Sequence, residues 1–139
     1  QEVAQQHWKE ASGHYQQVVA KQPANVAALN NLAWALFQLK DPAALAWAEK
    51  AAALAPRAAP VIDTLGTVQS AAGQHAKAIE TLRQAVALAP KSNQFRLHLA
   101  QALAASGDKA GAKKEVETVL KEVSQGPLAD EAKALAARL

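Results

Sequence analysis

Residues 59–90, APVIDTLGTVQSAAGQHAKAIETLRQAVALAP, decide the fold of this chain. Ile62, Leu65, Gly66 and Gln69 fall on one helical stripe, and Ala78, Leu82, Ala85 and Val86 fall on another. Gly73 interrupts the pattern where a left-handed residue would end the first helix, and Pro90 follows the second, which it cannot continue. The stretch therefore reads as two amphipathic helices joined by a glycine turn. Gly66 and Ala78 are expected at the helix crossing, where small side chains let the axes approach to roughly 8–10 Å.

Versions of this unit stand on both sides of it. Ala44, Ala78 and Ala112 are 34 residues apart at each step, and Ala51, Ala85 and Val119 repeat that spacing, as do Gly73 and Gly107. Leu32, Leu65 and Leu99 are separated by 33 and then 34 residues, as are Pro23, Pro56 and Pro90. Several independent series share one period. A helix pair cannot bury its apolar stripe alone, so units of this kind stack on one another.

The period and its small residues resemble the tetratricopeptide repeat. The matching residues are Leu65-Gly66, Gly73, Ala78, Leu82, Ala85 and Pro90 in the central copy. They are Leu99-Ala100, Gly107-Asp108, Ala112, Val116 and Val119 in the next copy, and Leu32-Ala33, Ala44, Ala51 and Pro56 in the preceding one. The resemblance implies an all-α, right-handed superhelical solenoid of antiparallel helix pairs. On this reading 3–23 is a half repeat holding only a second helix, 26–56, 59–90 and 93–123 are repeats, and 127–139 is a polar-backed capping helix that ends the array.

Composition agrees with tightly packed helices. Half of the chain is apolar but only 4% is aromatic, and alanine, the best helix former, supplies much of the apolar count. Strands are not expected. Net charge is +3, and neither sign forms a block; Lys113-Lys114 followed by Glu115 and Glu117 reads as a solvated helix face. That balance is too scattered for a surface tracking phosphates, so nucleic acid is not an expected partner. Cysteine is absent, which excludes disulfides and thiolate metal sites. No apolar run approaches the roughly 20 residues that span a bilayer, so direct membrane insertion is not expected of these residues. The sequence begins at Gln1 without a leader and reads as part of something longer.

Local signals place the turns. Asn25, Ser92 and Asp108 are expected N-caps for helices over 26–39, 93–105 and 109–123. Leu32 to Ala44 is 12 residues where Leu65 to Ala78 is 13, so one residue is lost at Lys40-Asp41-Pro42. Asp41 is expected to cap the following helix, with Pro42 at its first position. Gly126-Pro127 starts the last helix, expected to turn Leu128, Ala132, Leu135 and Ala136 inward.

No catalytic constellation is visible, and the chain is not read as an enzyme. His7, His14, His75 and His98 include no pair at the spacing that binds a metal on one helix face; they read as surface residues, with His75 packing at its turn. No metal or cofactor is expected.

What remains is surface. In the family it resembles, positions 2, 5, 6, 9, 12 and 13 of each first helix face a concave groove. Carried over, these give Asn30, Asn31, Trp34, Phe37 and Gln38, then Asp63, Thr64, Thr67 and Ser70, then Gln94, Leu97, His98 and Gln101. The groove would be neutral and rich in amides and hydroxyls, with Trp34 as an aromatic anchor, suited to the backbone of an extended peptide or a protein partner. No lysine or arginine stands at these positions to clamp a C-terminal carboxylate. Residues 3–21, a second helix without its first, expose a stripe of Trp8, Ala11, Tyr15 and Val18; Trp8 and Tyr15 are the expected self-association edge of a homodimer. The alternative function is a structural self-assembly module.

A narrower resemblance rests on the Asn-Leu-Ala-Trp run at 31–34 and the Lys-Asp-Pro turn. These are similar to the C-terminal repeats of tetratricopeptide lipoproteins that accompany bacterial exosortase and PEP-CTERM sorting systems. That likeness implies an exported, periplasmic protein, tethered through a part preceding these residues and linked to exopolysaccharide production.

Overall fold

The computed structural model describes residues 2–139, which form eight α-helices and, among the described residues, no strand. They are α1 (Glu2–Lys21), α2 (Val26–Gln38), α3 (Ala44–Leu54), α4 (Ala59–Ala71), α5 (His75–Leu88), α6 (Asn93–Ser106), α7 (Lys109–Glu122) and α8 (Pro127–Ala137). Side chains take up free N–H groups at three of the helix starts. Asn25 accepts from Ala28 N–H, Ser92 from Phe95 N–H and Asp108 from Gly111 N–H, at 3.0, 3.2 and 2.8 Å. Gly73 and Gly107 follow α4 and α6 with φ of 84° and 94°, the left-handed conformation that frees a helix end to turn.

The turn at 40–42 departs from its expected form. α3 starts at Ala44, and Asp41 spends its carboxylate on Ala43 N–H at 2.9 Å, inside the turn. Lys40 has φ of 58° and takes the left-handed place that glycine holds in the other repeats. With one residue fewer, the reversal is completed by a non-glycine residue, so the chain reaches helical geometry two residues beyond Pro42.

Each helix packs on the next, and α2, α4, α6 and α8 also touch one another in succession. The intervening α1, α3, α5 and α7 have no such contacts among themselves. A double layer whose inner helices touch and whose outer helices are splayed curls toward the inner layer. The concave face is therefore made by the even-numbered helices.

The core is built from small residues beside a few leucines. Ala33, Ala51, Ala78, Ala85, Ala100 and Ala112 have no exposed surface, and neither have Leu29, Leu32 and Leu82. Gly66 is buried against α5, and the side chain nearest to it there is that of Leu82: a Cβ on Gly66 would stand 2.5 Å from Leu82 Cγ. Ala78 joins Leu82 in a cluster with Leu99, Leu103 and Ala112 of the following helix pair. In α8 the buried stripe is Ala129, Ala132 and Leu135, while Ala136 is exposed. Ala136, four residues after Ala132 and seven after Ala129, lies on the same side of the helix, but in its last turn.

Candidate functional site

The concave face holds an open cavity of about 410 Å³. On α2, Trp34, Phe37 and Gln38 lie one turn apart and form one wall. Thr67 of α4 and Gln94, Leu97, His98 and Gln101 of α6 form the floor, and Pro127, Leu128 and Glu131 of α8 close one side. Gln94, His98 and Gln101 are separated by four and three residues, the spacing that aligns side chains along one helix.

At its centre is a buried polar pair. His98 Nδ1–H donates to the Asp63 carboxylate, 2.8 Å from one oxygen and 2.9 Å from the other. The side chains are only 12% and 7% exposed. The Trp34 ring lies 6.2 Å from the imidazole and 5.1 Å from the Phe37 ring. Asp63 occupies the fifth position of α4 and His98 the sixth of α6, one repeat plus one residue apart. Once Nδ1 is committed to Asp63, Nε2 is the ring nitrogen left for a ligand. His98 is thus not a surface histidine, and the groove is not free of ionisable groups. His75 is half-buried at the start of α5, and its Nδ1 is buried without a hydrogen-bond partner.

The expected groove residues divide. Trp34, Phe37, Gln38, Thr67, Gln94, Leu97, His98 and Gln101 line the cavity, and Asp63 stands behind His98. Thr64 is not among the cavity-lining residues: it is buried, and its hydroxyl donates to the Pro60 carbonyl at 3.0 Å, one turn back in its own helix. Asn30 is half-buried with a partnerless Oδ1, Asn31 is exposed and Ser70 is half-buried, and none of the three lines the cavity. Thr67 Oγ1 is also without a partner.

The contribution of α8 was missed by reading it only as a cap. Yet α8 begins at residue 127, 34 after α6 begins at residue 93. Leu128 and Glu131 therefore hold the second and fifth positions of a further first helix, both of them groove positions.

At the other end, Tyr15 and Val18 pack beside Val19 against the core, facing α2, and Ser12 on the same stripe is buried. Trp8 is half-buried, with the His7 ring edge-on at 5.4 Å. Among the described residues, no three His, Cys, Asp or Glu side chains are grouped to hold a metal ion, and no helix is long and apolar enough to cross a membrane.

Family models described as tetratricopeptide repeat match residues 2–59 and 70–139. The chain belongs to the tetratricopeptide repeat family. No curated protein matches its sequence. Among solved structures, the thermophilic tetratricopeptide protein TTC0263 of Thermus thermophilus is 23% identical, with a TM-score of 0.77 over 91% of this chain and 70% of that one. MamA of Desulfovibrio magneticus RS-1 is 25% identical, with a TM-score of 0.75 over 87% of this chain and 70% of that one. Against a double mutant of MamA from RS-1, this chain spans 65% of the other's length. The Yersinia enterocolitica type III secretion chaperone SycD, solved with a peptide of the translocator YopD, is 20% identical, with a TM-score of 0.68 over 79% of this chain and 88% of that one. These likenesses show a tetratricopeptide solenoid of helix pairs.

Proposed function

We propose that the concave cavity binds an extended segment of a partner protein and that the chain acts as a non-catalytic scaffold. The observation that carries this reading is the convergence of Gln38, Thr67, Gln94, His98 and Gln101 from three helices beside Trp34. An extended peptide offers one N–H and one C=O per residue. Primary amides pair with both, and an indole adds rigid contact area at little entropic cost. The SycD structure with a YopD peptide supports peptide capture on this fold. Peptides selected from a random library on the parent protein are expected to bind the Trp34→Ala, Gln101→Ala double variant roughly tenfold more weakly, with helical circular dichroism unchanged. Equal affinity for both proteins moves the site elsewhere.

The second reading is contact between copies through α1. It is favoured by Val3, 85% exposed, on the same end of the helix as half-buried Trp8. Light scattering over a hundredfold concentration range is expected to show a dimer that Trp8→Glu abolishes; a parent that stays monomeric throughout rejects it. A setting in an exported exosortase-linked system is supported by the Asn-Leu-Ala-Trp run and the Lys-Asp-Pro turn.

A further inference from the structure

The shortened turn between α2 and α3 coincides with a second cavity, of about 680 Å³. Its walls are mostly apolar: Phe37, Pro42, Leu45, Val68, Ala71 and Ala72. The corresponding place between the ends of α6 and α8 and the start of α7 holds about 310 Å³. The larger cavity is the one beside the shortened turn. Three positions before the buried alanine of each second helix stand Asp41, His75 and Lys109. His75 is half-buried at its turn, whereas Asp41 is exposed and turned to Ala43 N–H. No side chain of the 40–42 turn fills the wedge between α2, α3 and α4.

Three features define what this wedge takes. Its walls are apolar, which excludes a charged or strongly polar ligand, since burying such a group without partners is unfavourable. Its rim carries Lys40 and Asp41, one charge of each sign, so it offers no net field to select an ion. It also adjoins the groove: Phe37 and Gln38 line both cavities, so the aromatic wall of one is a wall of the other. Its size lies in the range of formed ligand pockets.

We infer that this pocket receives an apolar side chain, of leucine or phenylalanine size, from the peptide that lies in the groove, and so sets which sequences the scaffold accepts. The inference rests on the groove reading above. Side chains of an extended segment alternate, so one residue inserts here while its neighbours meet the Thr67 hydroxyl of α4 and the amides of α6.

The test uses random extended peptides as the probe, selected on the parent and on Ala71→Phe. Ala71 is exposed on the last turn of α4 and lines the apolar pocket without lining the groove cavity, so phenylalanine there plugs only the pocket. Parent-selected peptides are expected to share an apolar residue at a fixed place. They are expected to bind Ala71→Phe about tenfold more weakly, the loss of a buried apolar side chain's contribution. Changing that residue to serine in the peptide should cause the same loss on the parent and none on the plugged variant, which needs no altered protein fold. Peptides that depend on Trp34 yet bind Ala71→Phe equally well overturn the inference and leave the groove reading standing. Selected peptides indifferent to Trp34→Ala, or no selection at all, overturn both. A concentration-dependent dimer that Ala71→Phe abolishes assigns the pocket to a second copy and also overturns the inference.

Discussion

Leucine in place of His98 is expected to destabilise the folded chain by about 3 kcal/mol, because it leaves a buried carboxylate without its partner. Asp63 is 7% exposed, and both its oxygens lie within 2.9 Å of the imidazole Nδ1. Removing the imidazole takes away the hydrogen bond and supplies no replacement, so the carboxyl group must stay desolvated or α4 and α6 must part to admit water. The pair joins two inner helices, so the loss is expected to loosen the concave face where these repeats meet. Changing both residues to leucine should recover most of the stability, since replacing both partners of a buried hydrogen bond by apolar groups of similar shape is often nearly neutral. Urea denaturation of the parent, His98→Leu and the double variant checks this. A His98→Leu protein that unfolds at the parent's urea concentration rejects the pairing as a stabilising contact. A double variant no better than the single one rejects the stranded charge as the cause.

Gly66→Ala is expected to destabilise by about 2 kcal/mol, although alanine is the better helix former by about 1 kcal/mol. The added methyl would lie 2.5 Å from Leu82 Cγ, 2.7 Å from Cδ2 and 3.3 Å from the Leu82 backbone N. Leu82 has no exposed surface, and its Cγ is a branch point rather than the free end of a side chain. Relief therefore requires α4 and α5 to separate, which loosens the pair around which the alanine core is packed. Gly13 supplies the internal control. It lies in the middle of α1, and a Cβ there would meet nothing within 4 Å. Gly13→Ala should thus stabilise by about 0.5–1 kcal/mol by restricting the unfolded chain. Combining Gly66→Ala with Leu82→Ala should cost less than the sum of the two, because the smaller residue at 82 admits the methyl. Thermal melts of the parent, the single variants and the combination decide it: strict additivity would place the strain somewhere other than this crossing.

Much of the fold is decided by interactions within a few residues, and these were legible in the chain. Asn25, Ser92 and Asp108 cap helices because each reaches an N–H three residues on. Gly73 and Gly107 end helices because their backbones enter the left-handed region freely. The 34-residue recurrence of small residues foretold stacked pairs, since it describes one repeated contact surface. Trp34, Gln38, Gln94, His98 and Gln101 were named by carrying the groove positions of the resembled family onto the first helices, and all five line the cavity.

The tertiary structure decided what depends on how successive repeats are rotated and shifted against each other. Asp63 and His98 are 35 residues apart, and their meeting is set by the offset between α4 and α6, which the one-dimensional period does not contain. The same offset brings α8 beside α6, so that Leu128 and Glu131 face Trp34 across one cavity. The apolar pocket lies at the α2–α3 turn, where a missing residue was visible. Its effect on Asp41 and Lys40 was not, because a turn can absorb a deletion by moving a helix start or by changing a backbone angle. Here it did both. Such choices are settled by the packing of distant helices, which weighs contacts that no local stretch of sequence records.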